Sequence, residues 1–459
     1  MPRNKPLPFL LVLAMLGMPR LSAEAQGNAY SDVVVFGDSL SDVGNTANNF
    51  FFQFISLFGG GADVTNGRFS SGPVWVEHLA ADLGLPGSAS SRSDAGGDNY
   101  AHGGARTGSG RLSFNVIDNL GFQIDDYLSS NTPAGDELFV VWGGGNDVLD
   151  GVGTAQSITT NMINHVGALA DGGAQRFLVM NLPKLGDIPR NLGSASQPAL
   201  NNLASSYNSL LAAEMNTLAR QRGLDITLFD VETTFDRLLQ DPTLYGFTNT
   251  SDAFVGSSGD VNGFVFWDEI HPTSRAHDIL ADAVFVALQV PGDLTGDGRV
   301  DEADLAVVQA NFGQSATPYD LVSGDWDGDG RVGVFERGLV LTNWTDPLGD
   351  LNGDGELSVL DVSALVLALT DPGGYDVLTQ GLAADVRGDF DGNGVLNNLD
   401  IFGFVEALSP DPAAANALLI AVPEPGSAAA LMIAIMICGS RWRRGLSDHT
   451  VRALSDGLV

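Results

Sequence analysis

Cysteine is nearly absent from this chain of 459 residues: Cys438 stands alone, so no disulfide can form within it. Positive charge is scarce as well, with 22 Lys plus Arg against 56 Asp plus Glu and a net charge of −34. That balance excludes a nucleic-acid partner, because phosphate binding needs basic clusters, and it makes divalent cations the natural counter-charges. Apolar runs long enough to span a bilayer, about 20 residues, are missing too; the two longest candidates are Leu7–Met18 and Ala428–Cys438. What is present is ample apolar material, 44% hydrophobic with only 17% charged residues, which rules out wholesale disorder and allows two or three domains.

The amino terminus has Arg3 and Lys5, then the run Leu7–Met18, then Ala23-Glu24-Ala25. This is the layout of a secretory signal over residues 1–25, with the mature chain expected to begin near Gln26 and a short membrane anchor as the other reading. Export normally permits disulfides, yet none can form, so any staple must be of another kind.

From Ser31 to about Val290, apolar runs alternate with amphipathic segments. Strands are expected at Val33–Phe36, Leu138–Trp142, Phe177–Leu182 and Ile226–Val231, and helices at Val74–Leu83, Ile158–Leu169 and Leu200–Arg222. Such alternation predicts a parallel sheet with helices on both faces, a three-layer α/β/α domain over residues 31–290. Ser88–Gly97 reads as a loop within it.

Three stretches of this domain carry chemistry. Gly37-Asp38-Ser39 follows the first strand directly, at the sheet edge where open α/β sheets bind ligands, and is expected to turn into a helix whose N–H groups face an anion. Ser39 is a candidate nucleophile or a helix cap. Gly144-Gly145-Asn146-Asp147 follows the second strand, where Asn146 can donate an amide N–H to an oxyanion or cap a helix. Asp268 lies three residues before His271, close enough to fold back onto the imidazole and fix its tautomer, or to cap the helix that follows. His78, His165 and His277 read as structural, and His102 stays open beside Gly104. Phe50, Phe51, Phe52, Phe54 and Phe58 could pack in a core or line an acyl pocket.

Taken together and in this order, residues 31–290 resemble the GDSL, or SGNH, family of serine esterases and lipases. Gly37-Asp38-Ser39-Leu40 is similar to its nucleophile block, Gly144–Asp147 to its Gly-x-Asn-Asp block and Asp268–Pro272 to its Asp-x-x-His block. Asn99-Tyr100-Ala101-His102-Gly103-Gly104-Ala105 resembles the remaining block, whose glycine N–H is an oxyanion donor, a role the resemblance gives to Gly104 or Gly103. It implies a flavodoxin-like sheet, Ser39 as nucleophile, His271 as base, Asp268 as its orienting partner, and no cofactor for catalysis. No Gly-x-Ser-x-Gly elbow points to the α/β-hydrolase alternative.

After Pro291-Gly292 the composition shifts to many acids, few arginines and no lysine. A twelve-position pattern recurs four times, with oxygen-bearing residues at positions 1, 3, 5 and 12 and Gly at 6. The copies supply Asp293, Thr295, Asp297 and Asp304; Asp325, Asp327, Asp329 and Glu336; Asp350, Asn352, Asp354 and Asp361; and Asp389, Asp391, Asn393 and Asp400. This is EF-hand calcium-loop chemistry, hard oxygens around a hard cation with Gly for the sharp turn. The half-EF-hand form resembles dockerin type I repeats, read as two pairs over residues 291–345 and 346–410. Thr295 departs from that pattern, so a cohesin-like protein partner and a calcium-ordered spacer both stay open.

Val422-Pro423-Glu424-Pro425, the apolar run to Cys438 and Arg441–Arg444 resemble a PEP-CTERM sorting signal over residues 422–445. That implies a transmembrane helix held transiently, a sorting protease, and a cell-surface or matrix location; a plain tail anchor is the other reading. The whole reads as an exported serine ester hydrolase acting on small or polymer-bound esters, of lipids or of polysaccharide acyl groups. The rival is a non-catalytic, calcium-dependent surface or matrix binding protein.

Overall fold

The computed structural model describes residues 30–48, 64–88, 97–112, 116–358, 360–379, 383–390 and 394–408. The signal segment, Phe50–Phe58, Asp391, Asn393 and the tail from 422 lie outside these. The chain divides into two compact units. The first runs to Val290 and also takes Leu294–Gly298 and Asn311–Glu336; the second holds Pro291–Asp293, Arg299–Ala310 and the chain from Arg337.

Four parallel strands form the sheet of the first unit: β1 (Val33–Phe36), β2 (Leu138–Trp142), β3 (Arg176–Met180) and β4 (Asp225–Phe229), paired in that order. Every β1 side chain is at most 1% exposed, and they point alternately to two separate cores. Val33 and Val35 join Leu138, Val140, Leu178 and Met180 on one face, where α1 (Trp75–Asp82), α6 (Val231–Gln240) and α7 (Ser274–Ala287) cover them. Val34 and Phe36 join Phe139, Val141, Phe177 and Val179 on the other, under α2 (Leu120–Ser130), α4 (Ala155–Gly172) and α5 (Gln197–Arg222). Burial on both faces is why these strands read as continuous apolar runs rather than as alternating ones. Each such side chain contributes roughly 1.5–3 kcal/mol, so the strand that leads into Ser39 is among the most firmly placed parts of the molecule.

Beyond β1, on the side away from β2, the segment Asp98–His102 runs parallel to it. The Val35 N–H donates to the Asp98 carbonyl at 2.9 Å, and the Tyr100 N–H donates to the Val35 carbonyl at 2.8 Å. Counting this segment as the second strand gives the order 2-1-3-4-5, the flavodoxin-like arrangement, whose ligand crevice opens between strands 1 and 3. Ser39 and Asn146 follow those two strands.

Residues 38–48 form successive turns in place of the expected helix. The Asp42 carboxylate accepts the N–H groups of Gly44, Asn45 and Thr46 at 2.8, 2.7 and 3.1 Å, offering the backbone an alternative to helical bonds.

In the second unit a small core of Leu351, Val362, Leu365, Tyr375 and Phe404 lies beneath short helices. Arg387, 3% exposed, pairs with Glu302, Asp346 and Asp350. Among the described residues no helix is long and apolar enough to cross a membrane.

His277 on α7 is fully buried, and neither of its ring nitrogens has a hydrogen-bond partner among the described residues. Burial, with the nearby charges of His78 and His271 adding to it, pushes its pKa down from 6.5 to about 3. Between those values the unfolded chain binds a proton that the folded chain refuses, so this residue's contribution to stability rises with pH up to about 6.5 and is lost below. His277→Leu is expected to flatten the pH dependence of stability from about pH 3 to 6.5, by up to roughly 1.4 kcal/mol per pH unit. Urea midpoints measured across that range would show it, and equal slopes in both proteins would place the acid sensitivity elsewhere.

Candidate active site

Gly37 ends β1 so close to β2 that a Cβ there would sit 3.1 Å from the Trp142 carbonyl oxygen. The buried Gln123 side chain clamps this glycine from both sides: the Gly37 N–H donates to Oε1 at 3.0 Å, and Nε2 donates to the Gly37 carbonyl at 2.9 Å. Ser39 emerges two residues on, and its Oγ lies 2.9 Å from His271 Nε2.

His271 follows the short strand β5 (Phe264–Phe266) and precedes α7. Its Nδ1 lies 2.7 Å from Asp268 Oδ2 and 2.9 Å from Oδ1. A carboxylate only accepts, so Nδ1 carries the proton and Nε2 is left to accept from the Ser39 hydroxyl. Asp268 does not cap the helix; that is done by Thr273, whose side chain accepts from Ala276. Instead Asp268 Oδ1 takes the N–H groups of Ile270 and His271 at 2.8 and 2.7 Å. Burial alone would raise the Asp268 pKa, but the bonds from the His271 ring and these two N–H groups outweigh it and hold the carboxyl below the usual range. The histidine loop is propped by a segment the sequence had not singled out. Phe69 lies against the imidazole with ring centres 5.4 Å apart, Ser70 Oγ donates to the Pro272 carbonyl at 2.9 Å, and the Ser274 N–H donates to Ser71 Oγ.

Of the two candidate oxyanion glycines, Gly103 is already engaged, its N–H shared between Asp42 Oδ2 at 2.8 Å and Thr46 Oγ1 at 2.7 Å. Its Cα also abuts Phe69, whose ring a Cβ would meet at 2.3 Å. Gly104, at φ +82°, has an N–H with no acceptor among the described residues, and the same holds for the Ser39 N–H. Asn146 sits on the short helix Gly145–Leu149, capped by Gly144 and not by Asn146. One Nδ2 hydrogen goes to the Ala105 carbonyl at 2.9 Å, while the nearest acceptor for the other, Asp38 Oδ2, is 3.4 Å away. At that length the second hydrogen is only weakly engaged.

Burial pushes the Asp38 carboxyl up to about 6, against the Leu40 N–H and the charge of His271. Asp147 is also raised by burial and is tied to Thr107 through N–H and hydroxyl. His165 meets the Thr107 carbonyl at 2.6 Å, and His102 meets the Tyr100 carbonyl with Nδ1 at 3.1 Å while its Nε2 lies 3.9 Å from Asp118 Oδ2. Beside Ser39 and Asn146 opens a cleft walled by Leu40, Leu149, Leu185, Ile188, Phe235 and Leu239.

The acidic loops differ from one another. In the second, carboxyl oxygens of Asp325, Asp327 and Glu336 lie within 4.8 Å of one another, the one such group among the described residues; Asp329 is not part of it. In the third, Asp350 is paired with Arg387 at 3.0 Å, Asp354 accepts from Asn352 Nδ2, and Asp361 takes the N–H groups of Asn352 and Ser358. In the first, Asp293 and Asp304 are buried, while Asp297 is exposed and Thr295 half-buried. In the fourth, Asp389 takes the Gly394 N–H and Asp400 those of Phe390 and Asn397.

Removing the Asp42 carboxylate would take this acceptor from the N–H groups of Gly44, Asn45 and Thr46, while Gly103 keeps Thr46 Oγ1. Asp42→Ala is therefore expected to cost roughly 3 kcal/mol or more in urea denaturation, since each buried unpaired group costs about 1–3 kcal/mol. Wild-type stability in this variant would mean that these bonds do not hold the loop.

The GDSL-like lipase/acylhydrolase family profile matches residues 33–284, more than half of the chain. Phosphatidylcholine-sterol acyltransferase of Aeromonas hydrophila is 26% identical over 341 residues, which cover 60% of this chain and 97% of that protein. Thermolabile hemolysin of Vibrio parahaemolyticus is 28% identical over 287 residues, 57% of this chain and 64% of that one. Esterase EstA of Pseudomonas aeruginosa is 26% identical over 348 residues, and the match spans only 51% of it. A solved structure of a lipolytic G-D-S-L protein from Veillonella parvula superposes with a TM-score of 0.32 at 16% identity, covering 55% of this chain and 93% of that one. Since the family match covers the sheet and every segment that brings a group to Ser39, the chain belongs to the GDSL-like lipase/acylhydrolase family and is an ester-hydrolysing enzyme.

Proposed function

We propose that the chain is an exported serine hydrolase of carboxylic esters with aliphatic acyl groups. The observation that carries the chemistry is the unbroken contact from Asp268 through His271 to Ser39. Ser39 Oγ attacks the acyl carbon while His271 Nε2 takes its proton, and Asp268 stabilises the imidazolium that results. The tetrahedral oxyanion is held by the Ser39 N–H, the Gly104 N–H and the second Nδ2 hydrogen of Asn146. His271 returns the proton to the departing alcohol, leaving an acyl group on Ser39. A water, deprotonated by the same nitrogen, then releases the acid and restores the serine. Aliphatic walls beside Ser39 favour a hydrocarbon acyl chain, and the relative named as a phosphatidylcholine-sterol acyltransferase supports a lipid ester. The repeats are read as calcium loops and the tail as a sorting segment, on the sequence patterns alone.

Ser39→Ala is expected to lower kcat by roughly 10⁴-fold or more with an unchanged melting temperature, and Asn146→Ala by on the order of 100-fold. Persistent turnover in Ser39→Ala would sink the mechanism. A panel of aryl esters of rising acyl length, a phospholipid and acetylated xylan decides the substrate: preference for the xylan would overturn the aliphatic assignment. For the tail, the surface-exposed protein in its native host is expected to lack the residues after Pro423-Glu424-Pro425. Mass-spectrometric recovery of the peptide Gly445–Arg452 from that material would show a retained anchor.

A further inference from the structure

The second acidic loop is placed in the same compact unit as the catalytic sheet. Asp325 is fully buried and folds the loop by accepting the N–H groups of Gly328 and Gly330 at 2.8 and 2.7 Å. Glu336, 2% exposed, accepts the Gly333 N–H with Oε2, but its Oε1 is buried and meets no donor among the described residues. Glu336 is also a member of the group in which one carboxyl oxygen each of Asp325, Asp327 and Glu336 lies within 4.8 Å of the others. A buried, unpartnered carboxylate oxygen on a residue grouped with two other carboxylates is costly without a counter-charge, and an all-oxygen set of this kind suits a hard divalent cation.

The backbone of this loop is gripped by the catalytic unit. Tyr245 Oη donates to the Gly328 carbonyl at 2.9 Å in a buried bond, and the Arg237 guanidinium donates to the Asp327 carbonyl. The Tyr319 ring lies where a Gly328 Cβ would be, 2.3 Å away, and its hydroxyl bonds with Thr234, Arg237 and Tyr245. Leu244 occupies the equivalent space at Gly330. Thr234 and Arg237 belong to α6, and Phe235, Asp236 and Leu239 of the same helix line the cleft beside Ser39.

We propose that the Asp325–Glu336 loop is a calcium-type cation site integral to the hydrolase, and that its occupancy orders α6 and with it the acyl-side wall of the cleft. The name of that wall rests on the ester-hydrolase reading; the cation site and its coupling do not. The cation takes no part in bond making. It neutralises Asp325, Asp327 and Glu336, fixes the carbonyls of Asp327 and Gly328, and so anchors Arg237 and Tyr245.

The full-length protein is to be titrated with calcium by calorimetry, and exchange of backbone hydrogens over residues 231–247 followed by mass spectrometry in calcium and in EDTA. Asp325→Asn/Glu336→Gln is expected to bind one calcium fewer than wild type. In wild type, calcium should slow exchange over 231–247 by roughly tenfold or more, as binding to the folded form alone requires. The double variant should lose this response, Tyr245→Phe should weaken it while keeping the calcium, and Asp350→Asn in the third loop should leave it in place. Equal calcium stoichiometry in wild type and double variant, or exchange over 231–247 indifferent to calcium in wild type, would overturn the proposal. Wild type in EDTA supplies the comparison if the double variant does not fold. None of these readouts needs turnover, so a failure of the ester chemistry would leave them interpretable.

Discussion

The Asp42 carboxylate accepts four backbone N–H groups, three from the turn after the nucleophile and one from Gly103. Those bonds tie the nucleophile loop to the segment beside β1, and they decide which N–H groups at the sheet edge are engaged. With Gly103 occupied, the N–H of Gly104 is left for an incoming oxygen. The free donors at Ser39 and Gly104 are thus defined by a neighbour that takes up the others. In the mechanism proposed above, an oxyanion site made this way is organised before substrate arrives and needs little rearrangement when charge develops.

Negative charge is handled differently in each part of the chain. Asp42 is answered by N–H dipoles, Asp268 by an imidazole, and Asp350 by Arg387, a buried guanidinium that also meets Glu302 and Asp346. The group of Asp325, Asp327 and Glu336 takes the N–H groups of Gly328, Gly330, Asp329 and Gly333 and keeps an orphan oxygen, and no side-chain ion pair reaches it among the described residues. The Arg237 guanidinium in that network goes to a backbone carbonyl of the loop. The second and third loops, similar in sequence, therefore differ in how their carboxylates are answered, because Arg387 reaches Asp350 and no side-chain ion pair reaches Asp325 among the described residues.

Much of the site was legible because its signals are local. Four apolar residues before Gly37 announce a strand buried on both faces, and the three-residue spacing from Asp268 to His271 suffices for a carboxylate to reach its imidazole. Asn146 was found from its place after the second strand. Gln123, Phe69 and Asp42 were not found: their partners lie far away in sequence or, for Asp42, in a turn whose backbone won over the expected helix. A carboxylate just before Gly44-Asn45-Thr46 was the one available sign that the helix would fail. The membership of the second acidic loop was equally unreadable, because Tyr245, Tyr319 and Arg237 are ordinary residues until the fold gathers them around Gly328.

The catalytic groups differ in how they are held, and this bears on which of them sets the geometry. Ser39 and Asn146 leave the carboxyl ends of adjacent central strands, where two cores and the Gln123 clamp fix the backbone. His271 comes from a loop secured by discrete bonds: the Trp267 N–H donates to the His271 carbonyl at 2.7 Å, the Thr273 N–H to Val265 at 2.8 Å, and Ser70 reaches Pro272. Each such bond is worth about 0.5–1.5 kcal/mol, far less than the burial that holds β1. The histidine is therefore the member whose position depends on its surroundings, and the residues that brace it, Phe69 to Ser71, act on the proton-transfer distance more directly than any residue of the sheet.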